Sequence, residues 1–150
     1  MKLLAIAMGL ACLSASAQTY EEKVVAAVLV GEAGSEGHRG MSAVAEVIHR
    51  RAALTGKTPF QVVTQGKRTH RAFSCMNNLT PPALVQKFRD APTYGYALAV
   101  ALQVTREPQK LTMMTHDATH FTRKEERPYW SRGHAPVAVI GSHAFYRLKM

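Results

Sequence analysis

The spacing of hydrophobic residues divides the chain into two regions. Up to about residue 106, apolar residues recur three and four positions apart, as at Met41, Val44 and Ile48, which places them on one face of a helix. After residue 110 the apolar segments are short and lie between Gly, Pro and charged residues, which is typical of β-strands. The pattern predicts a single α+β domain that is mostly helical, with a small antiparallel sheet near the C-terminus.

Local signals indicate where the helices begin and end. Thr19 with Glu22, and Thr58 with Gln61, have the spacing of capping boxes, and Thr80 precedes a proline that suits a first helical turn. Gly34, Gly37 and Gly40 predict a short loop after the first helix. We predict helices over residues 20–33, 41–55, 59–65, 81–91 and 94–106, and strands over 111–115, 137–140 and 144–148, with a basic loop over 67–78.

The first seventeen residues have the pattern of a signal peptide. Lys2 is followed by an apolar run from Leu3 to Leu13, and Ala15-Ser16-Ala17 is a cleavage motif before Gln18. The apolar run is shorter than the roughly 20 residues that a membrane-spanning helix needs. We therefore expect export to the periplasm or the medium, a mature domain over residues 18–150, and no stable membrane anchor.

Charge indicates a polyanionic partner. The chain has 19 basic and 10 acidic residues, so the formal charge is +9, and removal of Lys2 with the leader leaves 18 − 10 = +8. Such a charge attracts nucleic acid, anionic membranes or an anionic cell envelope. Export disfavours nucleic acid. The mature chain keeps one cysteine, Cys75, which excludes an internal disulfide and is more typical of a small buried thiol than of a nucleophile.

Glu32 is the main candidate for acid catalysis. It follows an apolar helix and precedes a Gly-rich turn, and partial burial there would raise its carboxyl pKa toward the range of a general acid. The neighbouring glycines would let a ligand approach the backbone. Glu36 lies in the predicted loop, where it could contact substrate or cap the next helix.

Two further segments could contact a ligand. His116-Asp117-Ala118-Thr119-His120 could bind a metal on a helix, but in an extended segment two residues four apart lie about 13 Å from each other. Hydrogen bonding to a polar ligand or a structural role then remains. Pro128-Tyr129-Trp130 could stack on sugar rings or belong to the core.

In this order the motifs resemble the SleB/CwlJ family of cell-wall hydrolases. The resemblance covers about residues 22–148 and rests on four separated blocks, which are Val30-Gly31-Glu32-Ala33 with Glu36-Gly37, Val47-Ile48-His49-Arg50, Ala118-Thr119-His120-Phe121 with Pro128-Tyr129-Trp130, and Ile140-Gly141-Ser142-His143-Ala144-Phe145-Tyr146-Arg147. The family usually has Asn where this chain has His49.

The resemblance implies a lysozyme-like fold and cleavage of the β-1,4 bond between N-acetylmuramic acid and N-acetylglucosamine in peptidoglycan. It implies that Glu32 is the catalytic acid, and it favours a lytic transglycosylase, in which Glu32 acts as both acid and base. A hydrolase would need a second carboxylate, for which Glu36 and Asp117 are the candidates outside the charged run at 123–127. Ser74, Thr119, His120, Tyr129 and Trp130, with Glu36, would bind the glycan strand. We expect a monomer that needs no cofactor.

Two alternatives remain open from the sequence. One is a metal-dependent amidase or peptidase that uses His116, Asp117, His120 or His143. The other is a wall-binding module without catalytic activity.

Overall fold

The computed structural model describes residues 17–150, and the predicted leader over residues 1–17 lies outside the described residues except for Ala17. The predicted α+β class is confirmed, with a small antiparallel sheet near the C-terminus. The α-helices are α1 (Tyr20–Ala33), α2 (Gly37–Thr55), α3 (Pro59–Val63), α4 (Pro81–Phe88) and α5 (Tyr94–Arg106).

The predicted helix caps are confirmed. The Thr19 hydroxyl accepts from the Glu22 N–H while the Glu22 carboxylate accepts from the Thr19 N–H, and Thr58 and Gln61 form the same pair at α3. Thr80 caps α4 by accepting from the Ala83 N–H. Each cap satisfies backbone donors that a helix leaves unpaired at its start.

Helix α1 lies at the centre of the molecule. All six residues from Val24 to Leu29 are completely buried, and α2, α3, α4 and α5 pack around them. Burial of each Val or Leu side chain contributes about 1.5–3 kcal/mol. Polar side chains on α1 are therefore confined to its two ends, and Glu32 lies at the C-terminal end, next to the sheet.

Helix α2 packs against both halves of the molecule. Met41, Val44 and Ile48 belong to the large helical core. Ala43 and Val47 face a second, smaller core that includes Ile140 and Phe145 of the sheet. This division by helical face fixes the position of the sheet relative to α1.

The start of α2 differs from the prediction. The loop predicted through Gly40 was wrong, since a 3-10 turn over Gly34–Glu36 leads directly into α2 at Gly37. Gly40 is buried inside the helix, where an added Cβ would overlap the Glu36 side chain. Gly40 is therefore required by close packing and does not break the helix.

The sheet contains β3 (His120–Arg123), β4 (Ala138–Ile140) and β5 (His143–Tyr146) in the order β3-β5-β4. All neighbours are antiparallel, with His120 opposite Tyr146 and Ala138 opposite Phe145. The predicted strands over 137–140 and 144–148 correspond to β4 and β5.

The strand predicted over residues 111–115 was wrong. Met113 has a left-handed backbone (φ 55°), and the N–H groups of Met114 and Thr115 donate to the Glu46 carboxylate at 2.9 and 2.8 Å. Those N–H groups are consequently unavailable to a sheet, and the strand forms later, at β3.

The predicted basic loop contains some regular structure. A short hairpin pairs β1 (Gly66–Lys67) with β2 (His70–Arg71), and a 3-10 turn follows over Ser74–Met76. This segment packs against the C-terminal end of α1 and brings Cys75 close to Glu32. Within residues 17–150, none of the helices combines the length and the apolar character needed to cross a membrane.

Candidate active site

A cavity of about 340 Å³ lies between the helices and the sheet. Its helical wall consists of residues from α1, α2 and the segment that carries the β1–β2 hairpin, which are Gly31, Glu32, Arg51, Arg71, Ala72 and Ser74. Its sheet wall consists of residues from β3, β5 and the loop after β3, which are Phe121, Thr122, Arg123, Glu126, Trp130 and His143. The cavity therefore lies along the boundary between the two halves of the fold.

Glu32 is fixed by a backbone contact across this boundary. Its Oε1 accepts a hydrogen bond from the Cys75 N–H at 2.9 Å, and the side chain is partly buried. The contact requires Gly31, because an added Cβ there would lie 2.7 Å from the Cys75 Cβ and 3.1 Å from the Phe88 ring. Gly31 thus allows Cys75 to approach closely, and the Cys75 N–H orients the Glu32 carboxylate.

Cys75 has a supporting role in the site. Burial raises the pKa of its thiol, and the charge of Glu32 raises it further. The Sγ donates to the Val28 carbonyl at 3.8 Å. A thiol kept neutral in this way is a poor nucleophile, so the backbone N–H of Cys75 is what serves the site.

Arg51 was missed as a site residue. Arg51 lies on the cavity wall, four residues before α2 ends at Thr55. Its Nε donates to the Thr119 carbonyl at 2.6 Å, and its guanidinium lies 5.3 Å from the centroid of the Phe73 ring. Burial lowers the pKa of Arg51, and the negative charge of Glu32 acts in the opposite direction.

Two of the predicted sugar-binding residues, Ser74 and Trp130, line the cavity with Glu32. The Trp130 ring lies 5.2 Å from the His120 ring and 5.5 Å from the Tyr146 ring. Tyr129, next to Trp130, is 85% exposed and does not line the cavity. The tryptophan is thus held by aromatic neighbours, while the tyrosine projects into solvent.

His120 lines an adjoining depression of about 370 Å³. The depression and the cavity share four residues, Arg51, Ala72, Phe121 and Trp130, so together they extend the site along β3. Burial lowers the pKa of His120, and the charge of Arg51 lowers it further.

Thr119 is buried next to His120. Its hydroxyl contacts the His120 Nδ1 at 3.0 Å, accepts from the Leu148 N–H and donates to the Leu148 carbonyl, both at 2.9 Å. Thr119 thus supports His120 and the residues that follow β5.

Glu36 does not line this cavity. Its carboxylate accepts from the hydroxyl and the N–H of Ser142, in the turn between β4 and β5. The Ser142 hydroxyl is the main cause that lowers the pKa of Glu36. In this position Glu36 ties the start of α2 to the sheet.

A different second carboxylate, Glu126, lines the cavity. Its Oε2 accepts from the Thr122 hydroxyl at 2.8 Å, and its N–H donates to the Arg123 carbonyl in the turn after β3. Asp117 lines a separate depression near Arg50. The charged run at 123–127 therefore supplies the acid that the sequence pattern did not single out, because only the turn after β3 brings it to the cavity.

The structure gives no support to a metal centre. Among residues 17–150, no three His, Cys, Asp or Glu side chains are grouped so that they could hold a metal ion. His116 and Asp117 occupy a turn with left-handed backbone, whereas His143 is buried on β5 against Phe121. The proposed ligands of a metal-dependent amidase are thus distributed over different parts of the fold.

Comparison with known proteins identifies the family. The model of the Cell Wall Hydrolase family matches residues 35–146, which include the sheet wall, Arg51, Arg71 and Ser74, while Glu32 lies three residues before the first matched position. Neither the curated proteins nor the solved structures contain a significant match. Because the family match covers most of the chain, the protein belongs to the SleB/CwlJ-type cell wall hydrolases, enzymes that act on peptidoglycan.

Proposed function

We propose that the protein is a lytic transglycosylase that cleaves the β-1,4 bond between N-acetylmuramic acid and N-acetylglucosamine, with Glu32 as general acid and base. The observation that carries the proposal is the position of Glu32. It is a partly buried carboxylate on the cavity wall, oriented by the Cys75 N–H, and it forms no ion pair among residues 17–150. A carboxyl group positioned on a cavity wall in this way can serve as general acid and base.

The reaction needs one carboxyl group. Protonated Glu32 donates its proton to the glycosidic oxygen, and the C1–O4 bond breaks to release the 4-hydroxyl of N-acetylglucosamine. The Glu32 carboxylate then takes the proton of the muramic acid 6-hydroxyl while O6 forms a bond to C1. The products are a 1,6-anhydromuramic acid end and a regenerated, protonated Glu32.

The surrounding residues would hold the glycan strand. Trp130 offers an aromatic face for a sugar ring, Ser74 offers a hydroxyl beside Glu32, and His120 extends the same surface along β3. Tyr129, exposed beside Trp130, would contact a neighbouring sugar. Thr119 would act through its contact with His120.

The assignment of Glu36 to substrate binding stays a prediction. Its carboxylate accepts hydrogen bonds from Ser142, and Glu36 is not among the residues that line the cavity with Glu32.

The family points to action outside the cytoplasm, as the leader-like N-terminus predicts. The basic charge of the chain would hold the enzyme on anionic peptidoglycan.

Hydrolysis is the second candidate, and Glu126 is the observation that favours it. A second carboxylate on the opposite wall could activate water instead of the 6-hydroxyl. The two routes differ in their products, since hydrolysis leaves reducing ends and transglycosylation leaves anhydro ends.

Mass spectrometry of the fragments released from purified sacculi tests the proposal. We expect anhydro ends from the wild type, and a loss of at least about a thousandfold in rate for Glu32→Gln. Glu126→Gln should retain anhydro products, with a rate within about tenfold of the wild type. Glu125→Gln, which removes a neighbouring exposed acid, is the matched control.

The contrary results are distinct. Reducing ends that disappear in Glu126→Gln would establish hydrolysis. Free stem peptides would establish an amidase, and unchanged lysis by Glu32→Gln would exclude Glu32 as the acid.

A further inference from the structure

Three arginines from different elements line the same cavity. Arg51 comes from α2, Arg71 from β2 and Arg123 from β3. Arg51 and Arg71 lie on the helical wall with Glu32, and Arg123 lies on the sheet wall. Among residues 17–150, none of them forms an ion pair, although Glu32 and Glu126 line the same cavity. With both acids ionised the five groups carry a net charge of +1, and a proton on Glu32 makes it +2.

Two of the arginines are held in place by the protein. Arg51 is fixed by the Thr119 carbonyl and the Phe73 ring, and Arg71 donates through Nη1 to the carbonyls of Thr64 and Gly66. The Arg71 Nε is buried and has no hydrogen-bond partner. Holding a guanidinium in a partly buried position without an anion is unfavourable, so such groups are normally paired.

We propose that Arg51, Arg71 and Arg123 form a subsite that binds a carboxylate on the muramic acid substituent. The inference rests on the proposed function and names its substrate class, which is glycan whose muramic acid side group is anionic. Guanidinium groups bind carboxylates through paired, charge-assisted hydrogen bonds.

N-acetylmuramic acid differs from N-acetylglucosamine by its lactyl ether. The lactyl group ends in a free carboxylate in peptide-free strands, whereas in peptide-bearing strands that carboxyl is an amide and the stem peptide supplies carboxylates. The subsite would therefore identify the muramic acid side of the scissile bond and set the direction in which the strand lies on Glu32.

The test compares strands that differ only in this charge. Peptide-free glycan strands are converted to the neutral methylamide at the lactyl carboxyl, and intact peptide-bearing strands are the second substrate. We expect the wild-type kcat/KM to fall by about tenfold or more on the methylamide strands, or on peptide-bearing strands whose peptide carboxylates are amidated. Whichever neutralised substrate shows the fall identifies the lactyl or the peptide carboxylate as the group bound.

Variants connect the effect to the arginines. Arg123→Gln, at an exposed position, should lose about tenfold in kcat/KM on the anionic strands and little on the neutralised ones, and Arg71→Gln should do the same. Arg127→Gln removes an equal charge from an exposed position that does not line the cavity, and it should keep the wild-type preference.

Binding separates this inference from the proposed function. In the Glu32→Gln background, calorimetry should give a Kd for anionic strands at least about tenfold tighter than for neutralised strands, whether or not the wild type cleaves them. Anionic strands that bind in this way but are never cut would exclude the proposed function alone. The carboxylate subsite would be excluded if anionic and neutralised strands were cleaved and bound equally well. It would also be excluded if Arg127→Gln lost as much kcat/KM on the anionic strands as Arg123→Gln does.

Discussion

The two walls of the cavity are built in different ways. The helical wall rests on α1, whose middle residues from Val24 to Leu29 are completely buried in the large core. The sheet wall rests on a small core in which Ala43 and Val47 of α2 contact Ile140 and Phe145. The first wall holds Glu32, with Arg51 and Arg71, against the large core, while the second presents aromatic and charged side chains on short strands and turns.

This difference concerns how firmly each wall is supported, since Ser74, Arg51 and Arg71 of the helical wall also belong to the proposed binding surface. Rigid elements hold catalytic groups more precisely than loops do, and loops vary more readily in what they bind. Phe121 connects the two walls, because its ring lies 6.0 Å from Phe73 on one side and 5.9 Å from Phe145 on the other. The comparison predicts that damage to the helical wall reduces catalysis, whereas damage to the support of the sheet wall reduces stability first.

Among the variants that test this comparison, Gly31→Ala is expected to have the largest effect on activity. The new Cβ would lie 2.7 Å from the Cys75 Cβ, so the turn over Ser74–Met76 must move and Glu32 loses its hydrogen bond. We expect kcat on sacculi to fall by about a hundredfold with the far-UV circular dichroism unchanged.

Gly95→Ala is the matched control for this variant. Gly95 lies in α5, and an added Cβ there has no atom within 4 Å. The control should retain activity and gain up to about 1 kcal/mol in the free energy of unfolding. Full activity of Gly31→Ala would show that the approach of Cys75 to Glu32 does not matter.

The next effect concerns the support of the sheet wall. Glu46 is 1% exposed on α2, and its carboxylate accepts four hydrogen bonds from the segment before β3, given by the hydroxyl of Thr112, the N–H of Met114, and the N–H and hydroxyl of Thr115. In Glu46→Gln one carboxylate oxygen becomes an amide NH2 group, which cannot accept the hydrogen bonds that these groups donate. We expect a loss of about 3 kcal/mol in the free energy of unfolding, measured in urea.

Glu107→Gln provides the comparison for Glu46→Gln. Glu107 is exposed and pairs with Lys110 at 2.6 Å, so its substitution should cost less than about 0.5 kcal/mol. If both variants lost equally little, Glu46 would not be the anchor of the sheet wall.

The helical half could be predicted from the sequence to a greater extent than the sheet half. Helix α5 follows from its local run of Ala, Leu and Val, and the start of α1 follows from the cap at Thr19 with Glu22 three positions later. The position of β3 could not be predicted, because the competing segment around Met114 is held by Glu46, far away in the sequence. The β-prone composition of residues 111–115 gave no sign of the contact with Glu46.

The same distinction holds at the site. Glu32 is marked by a local motif beside Gly31, so the sequence singles it out. Arg51 and Glu126 reach the cavity through tertiary packing, and in the sequence each belongs to a charged pair or run with a solvated alternative. Glu36 has the spacing of a site residue but contacts Ser142, more than a hundred residues later.

The smallest expected effect is the pH dependence of stability at the far end of α1. Arg106 pairs with Glu22 at 2.6 Å and is the main cause that lowers the pKa of Glu22 from 4.5 to about 2. A lowered carboxyl pKa stabilises the folded state above pH 4.5, and the contribution is lost as the pH falls toward 2. Since the Arg106 side chain is 35% exposed, Glu22→Gln should cost about 1 kcal/mol at pH 7, and the difference from the wild type in urea unfolding should shrink between pH 4.5 and 2. Glu21→Gln, an exposed change in the same turn, should show no such narrowing. Activity of Glu22→Gln at neutral pH should not change, because Glu22 and Glu32 lie near opposite ends of α1. A loss of activity in this variant would mean that the two ends of α1 are coupled.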